Sequence, residues 1–297
     1  RILCSPSPIS LADQYASNIR KQSPAFSFKC GMGQLPNRLS EVVKADILLN
    51  CPAKSLVMTE GSKWRVHAEH NSQPVELSAD HVISALPAWS LAQVLRNSAV
   101  GSSEQGHNYD HTMSSCAELL EAIPYQSVAV VGMGLRAAEC PLPKQSRGFG
   151  YLIPPTEGDD ILGTMMESCT FPTAQSDQMT KLTVMIAKEA HLSRPHDHIL
   201  EVAKSALQKH LGMCFVTGQS AVGIHFSTIW TAVVVHQNCI PQYTVGHNKR
   251  VNRLHEIVRD CLPQLSLAGN SYYGIGVNDT IRISKGVVSD LKEKWKH

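Results

Sequence analysis

The stretch Leu267-Ala-Gly-Asn-Ser-Tyr-Tyr-Gly-Ile-Gly-Val-Asn-Asp279 limits what this chain can build more than any other. A short apolar strand runs into glycine-punctuated backbone, and a segment able to form a helix follows to the C-terminus. Gly274 and Gly276 carry no Cβ, so the backbone there can approach something flat and large. The stretch from His236 to His247 belongs with it. The β-branched run Val233–Val235 leads to Pro241, where a strand ends and a polar turn begins.

The chain has 297 residues, enough to bury one large core or two moderate ones. An apolar fraction of 43% with 18% charged residues describes a globular chain. A net charge of +2 gives no case for nucleic acid and no Lys/Arg run suggests a phosphate track, so no nucleic-acid partner is expected. Nine cysteines without a Cys-x-x-Cys pair indicate neither a zinc site nor a disulfide framework. They read as reduced thiols in an intracellular compartment. No apolar run approaches the ~18 residues that span a bilayer.

Residues 1–30 are Pro/Ser-rich, with a short helix expected from Ser10 to Lys21. A helix is expected over Pro36–Val43, then a strand at Asp46–Leu49. Trp64, Val66 and Ala68 alternate with Arg65 and His67, as in a half-buried strand. Val75 and Leu77 follow, and His81–Leu86 reads as a more buried strand. Val100–Ser115 is polar with two glycines and reads as a loop. Strands are expected at Ser127–Val131, Gly148–Ile153, Asp160–Gly163 and Lys181–Ala187. Ile199, Val202, Ala203, Ala206 and Leu207 mark one face of a helix that Gly212 stops. Later come a helix at His247–Asp260, a strand at Leu265–Ala268 and a terminal helix at Val277–Trp295.

Two motifs invite stronger readings. Gly132-x-Gly134-x-x-Ala137 follows an apolar strand, as a dinucleotide-binding turn does, but Pro141 and Pro143 would stop the helix such a turn must open. A strand with a bend is the better account. His196-Asp-His198, with His191 nearby, raises metal ligation. Two histidines two apart on a helix point to different faces, so solvated helix-start residues are preferred and no metal is expected.

Several blocks share one order with a known family. They are Gly31-Met-Gly-Gln-Leu-Pro-Asn-Arg-Leu39, Ala79-Asp-His-Val-Ile-Ser-Ala-Leu-Pro87, Gly148-Phe-Gly-Tyr-Leu-Ile-Pro154, Ile161–Gly163 and Leu182–Met185. With the two C-terminal stretches, they resemble the flavin-dependent protoporphyrinogen oxidases of the amine-oxidase-like flavoprotein group, most closely the animal mitochondrial type. The resemblance covers about residue 30 to the end. It implies an α/β (α+β) chain: a partial FAD-binding Rossmann-like domain with an interposed mixed-sheet substrate domain. Residues 31–87 and 236–297 would build part of the flavin domain and 88–235 the substrate domain, with 1–30 trailing from an upstream region.

The implied activity is the six-electron oxidation of protoporphyrinogen IX to protoporphyrin IX, in haem synthesis. FAD would be the cofactor and dioxygen the acceptor. Such chemistry needs apolar walls around a flat macrocycle, so no catalytic acid/base pair is assigned. By resemblance, Phe149, Gly150, Leu152, Met185 and Ile240 line the tetrapyrrole pocket. Ala53, His236, Ile275, Gly276 and Val277 contact the cofactor. Each apolar strand residue among them has a plain alternative as core, Gly276 one as a helix cap, and His236 one as a surface histidine. The resemblance also implies monotopic attachment to the mitochondrial inner membrane surface and a homodimer.

Departures from the family pattern stand at Asn270, Tyr273 and Arg282. The chain begins at Arg1, and the family's N-terminal Gly-x-Gly-x-x-Gly portion does not precede the matching blocks. The polypeptide is therefore expected not to retain FAD by itself. Alternatives are a truncated, inactive homologue acting as a binding protein, and an amine-oxidase-type flavoenzyme.

Overall fold

A computed structural model describes residues 27–28, 30–59, 63–101, 107–136, 147–174, 178–215 and 224–296. In chain order the elements are α1 (Gln34–Val42), β1 (Ala53–Met58), β2 (Trp64–His70), β3 (Gln73–Ala79), β4 (Val82–Ser84), α2 (Ala88–Gly101), α3 (His107–Glu121) and β5 (Tyr125–Arg136). Next come β6 (Gly150–Leu152), β7 (Gly163–Met165), β8 (Met179–Ile186), α4 (His196–Leu211), β9 (Met213–Cys214) and β10 (Ile224–His225). The chain closes with β11 (Thr228–Pro241), α5 (His247–Cys261), β12 (Leu265–Leu267) and α6 (Val277–Lys294). The helix expected at Ser10–Lys21 lies outside the described residues.

Two hydrophobic cores organise these elements. In the first, Ala88, Leu91, Ala92 and Leu95 of α2 face Met113, Cys116, Ala117 and Leu120 of α3. Both sets follow the i, i+3, i+4, i+7 spacing that puts apolar side chains on one helical face. Val251, Leu254 and Val258 of α5 join them, with Leu56 and Trp64 from the antiparallel β1–β2–β3 sheet. The fully buried Trp64 donates its Nε1–H to the Gln264 carbonyl at 3.0 Å, tying β2 to the approach of β12.

This packing corrects several expectations. The segment Val100–Ser115 is no loop where it is described: from His107 it is α3, whose polar residues form the outer face of an amphipathic helix. Because α2 and α3 belong to the first core, that core continues past residue 87, and the second begins at β5. Asp46–Leu49 forms no strand. Ile47, Leu48 and Leu49 are exposed, and no described strand offers the ladder partner that extended backbone needs. β4 is shorter than expected and, among the described residues, pairs only with β12, in parallel, leaving Ile83 exposed.

The second core lies under one face of a five-stranded sheet, order β11-β5-β8-β7-β6, antiparallel at every pairing. Among the described residues the parallel pairs are β4–β12 and β9–β10. Ala129, Val131, Met133 and Leu135 of β5 and Leu182, Val184 and Ile186 of β8 pack against Ile199, Ala203, Ala206 and Leu207 of α4. Strand period two gives the opposite face to the alternate residues. Gly212 stops α4 in the left-handed conformation, φ +66°.

Gly132 and Gly134 sit inside β5, not at a helix start. The Trp230 indole lies over both, and a Cβ at Gly134 would run into its ring. These glycines make room for a tryptophan.

Candidate functional site

The register of the sheet assembles one surface from residues distant in sequence. Leu152 pairs with Gly163, Gly163 with Met185, Met185 with Val130, and Val130 with Val234. One step along, Gly150, Met165, Thr183, Gly132 and Ala232 form a parallel row. Paired residues point to the same side, so both rows lie on the face that α4 does not cover. His236 opposite Val128 and Ile240 opposite Gln126 continue the same face beyond, across a bulge between 236 and 240.

Gly150, Leu152, Met185, Ile240 and His236 therefore share one side of one sheet. Leu152 is 79% exposed and Phe149, in the bend before β6, is 58% exposed. Phe149 is held through its carbonyl, which accepts the Met166 N–H at 3.0 Å. Gly163 lets β6 and β7 lie close together, since a Cβ there would run into the Tyr151 carbonyl oxygen and press on Leu152. Trp230 walls the same face further along β11, donating Nε1–H to the Met179 sulfur at 3.1 Å. Polar side chains cross this face near β8, where Thr183 donates to Glu167 and Lys181 lies 3.9 Å from the same carboxylate.

Where β11 ends at Pro241, the chain turns into α5. Tyr243 donates its hydroxyl to the Asn270 carbonyl at 2.6 Å and accepts the Gly274 N–H at 2.8 Å. Its ring stacks on His247, and His247 Nε2 donates to the Tyr272 carbonyl at 2.9 Å. The end of the sheet is thus wired to the glycine loop that opens α6. Tyr243 and His247 were not singled out by sequence, although an aromatic pair at i, i+4 across Gly246 was a readable signal.

Ile275 and Val277 are about half exposed at the start of α6. The first-turn N–H groups of a helix lack intrahelical acceptors and carry positive partial charge. Here that end is already lined by an anion. The Asp279 side chain folds over the loop so closely that a Cβ at Gly274 would lie 2.5 Å from its Cγ. Arg282 binds the same carboxylate at 3.2 Å and reaches the Tyr273 carbonyl at 3.5 Å. A pyrophosphate would meet Asp279 as a like charge, whereas a neutral ring edge between Ile275 and Val277 would not. The residues fit the ring side of a flavin.

The departing positions are part of this same bracing. Asn270 acts through its carbonyl, Tyr273 stacks on His255 with centroids 5.5 Å apart, and Arg282 holds Asp279. Burial lowers the His255 pKa below its ordinary value. Ala53 stands apart: it opens β1, pairs with Ala68 and packs on the first core. No described hydrogen bond or strand pair brings it to the loop. His191 and His198 hydrogen-bond one another at 3.0 Å at the start of α4, away from this face.

A family model described as "flavin containing amine oxidoreductase" matches residues 7–288. Protoporphyrinogen oxidase from Homo sapiens is 30% identical over 262 residues, covering 86% of this chain and 49% of its own length. That from Dictyostelium discoideum is 25% identical over 311 residues, covering 97% of this chain and 55% of its own. The chain spans about half the length of the curated relatives it matches. A crystal structure described as a protoporphyrinogen oxidase, from Exiguobacterium sp. 255-15, superposes with a TM-score of 0.71. It shares 20% identity and covers 95% of this chain and 57% of that one, which shows a common fold. The expected α/β flavoprotein architecture stands on this agreement, and the chain belongs to the flavin-containing amine oxidoreductase family.

Proposed function

We propose that this chain supplies the tetrapyrrole wall and the ring side of the flavin site of a protoporphyrinogen oxidase. One observation carries the reading: Gly150, Leu152, Met185, Ile240 and His236 fall on one sheet face, the one that α4 does not cover. The Tyr243 hydrogen bonds join the end of that face to the loop before Ile275, Gly276 and Val277.

The substrate would be protoporphyrinogen IX, a macrocycle whose oxidation needs orientation more than acid/base chemistry. Bound FAD would supply a two-electron acceptor that is reoxidised by dioxygen. This chain's residues hold the ring and keep water out. Leu152 and Phe149 clamp one edge, and Met185 supplies an adaptable apolar surface beside them. Ile275 and Val277 would flank the redox ring, with the Gly276–Val277 backbone against its edge. Ala53 remains a candidate contact on the adenosine side.

With that activity we also propose a place in haem synthesis, attachment to the mitochondrial inner membrane surface and a homodimer. No described helix is long and apolar enough to cross a membrane.

The test is oxidation of protoporphyrinogen IX in air with excess free FAD, followed by porphyrin fluorescence. The expected result is porphyrin formation above the flavin-only rate, saturating with FAD and lost in Leu152→Asp. A rate equal to free flavin, unchanged by Leu152→Asp, would refute the reading.

A further inference from the structure

β6 is an edge strand of three residues, joined among the described residues to β7 alone, yet Leu152 at its end and Phe149 just before it are exposed. Its middle residue points the other way. There Tyr151 enters a hydrogen-bonded chain that nothing in the proposed reaction uses.

The direction of each bond follows from what each group can do. The Asp159 carboxylate only accepts, so His210 Nε2, 3.0 Å from Oδ2, carries the proton. His210 Nδ1 is then an acceptor, and Tyr151 donates its hydroxyl to it at 3.1 Å. Thr164, the ladder partner of Tyr151 on β7, donates Oγ1–H to the Tyr151 oxygen at 3.2 Å. The Tyr151 and His210 rings also meet edge to face, centroids 5.6 Å apart.

Asp159 closes the arrangement. Its Oδ1 accepts the backbone N–H groups of Asp160 and Ile161 at 2.8 and 3.3 Å, shaping the connection from β6 to β7. Lys209 adds an ion pair at 2.7 Å. One carboxylate, with a side chain only 7% exposed, thus grips both the hairpin connection and the last turn of α4.

We propose that Tyr151 and His210 are positioning residues for the tetrapyrrole wall. They hold the short edge strand against α4, so that Phe149 and Leu152 stand at a set distance from the macrocycle. This rests on the function proposed above. Neither residue touches substrate; both act through the strand they restrain.

The test measures protoporphyrin IX affinity by Soret titration, and the unfolding midpoint, for the unsubstituted chain and for Phe149→Ala, Tyr151→Phe, His210→Ala and the Tyr151/His210 double variant. Tyr151→Phe keeps the ring and deletes only the hydroxyl. It should bind the porphyrin about fivefold more weakly. The double variant should lose no more than His210→Ala, because both break one chain. If His210→Ala does not fold, Tyr151→Phe decides alone.

Unchanged affinity in Tyr151→Phe, with Phe149→Ala weakened, would overturn the positioning role and leave the wall standing. A lower midpoint with unchanged affinity of the folded protein would assign the network to stability only, and would also overturn it. No porphyrin binding by the unsubstituted chain would refute the functional reading, and this inference with it.

Discussion

The Tyr243 and His247 rings stack with centroids 4.0 Å and planes 14° apart, across the turn that joins β11 to α5. His247 is buried and bonded to the Tyr272 carbonyl, so the stack pins Tyr243 to a fixed support. From there the Tyr243 hydroxyl bridges Asn270 and Gly274. Two side chains set the shape of the whole loop.

Deleting that hydroxyl should loosen the loop without unfolding the chain. Tyr243→Phe is expected to cost about 1 kcal/mol, the net worth of a typical hydrogen bond, read as a lower urea midpoint at unchanged slope. Amide exchange at Gly274 should quicken. Unaltered Gly274 exchange would show that the loop is held by other means.

Asp159 should shape the acid limb of stability. The Lys209 hydrogen bond, and then that from His210, hold its carboxyl well below the usual carboxylate range. A depressed folded pKa stabilises the folded state above the unfolded value of about 3.9, and that contribution is lost as pH falls toward the folded one. Asp159→Asn should therefore flatten the fall of the thermal midpoint below about pH 4 and lower the midpoint at neutral pH. Lys209, largely exposed, should matter less, so Lys209→Met should change the neutral-pH midpoint little. Parallel acid limbs for the Asp159→Asn and unsubstituted proteins would contradict this.

Gly134 should not tolerate a methyl group. Its Cβ position is occupied by the Trp230 indole, so Gly134→Ala should destabilise by about 1–3 kcal/mol, the usual cost of overpacking. Pairing it with Trp230→Ala should remove the clash. A stable single variant would mean that Trp230 moves freely on the sheet.

FAD should bind weakly and leave on gel filtration. Ile275, Gly276 and Val277 offer the ring side, and Asp279 disfavours phosphate at that helix end. A 1:1 flavin spectrum retained after filtration would show that a phosphate site exists in the chain.

Much of this was legible in the sequence because it is periodic or punctuated. The α4 stripe ending at Gly212, the α5 stripe Val251, Leu254, Val258 and the stop at Pro241 are written in local spacing. α3 was misread because its outward face is polar, and only packing against α2 shows that Met113, Cys116, Ala117 and Leu120 form an inner one. Asp46–Leu49 has strand composition but no described partner strand, and composition cannot supply one. The candidate wall was named from resemblance, residue by residue. That four of those residues share one face, with the cofactor candidate His236, depends on a register across four strand pairings, which sequence order conceals. Tyr243, Asp279 and Tyr151 were missed because their roles come from backbone groups and from a histidine far along the chain.

The uncovered sheet face as a tetrapyrrole wall is most directly tested by titrating protoporphyrin IX into the chain while following tryptophan fluorescence. Trp230 lies on that face beside Gly132 and Gly134. The account predicts saturable quenching that Leu152→Asp and Met185→Asp each weaken at least about tenfold, a charge set against an apolar ring costing more than 1.4 kcal/mol. Glu201→Gln, on exposed α4 surface, should leave the curve unchanged. Quenching that follows the same curve in all four proteins would contradict the account.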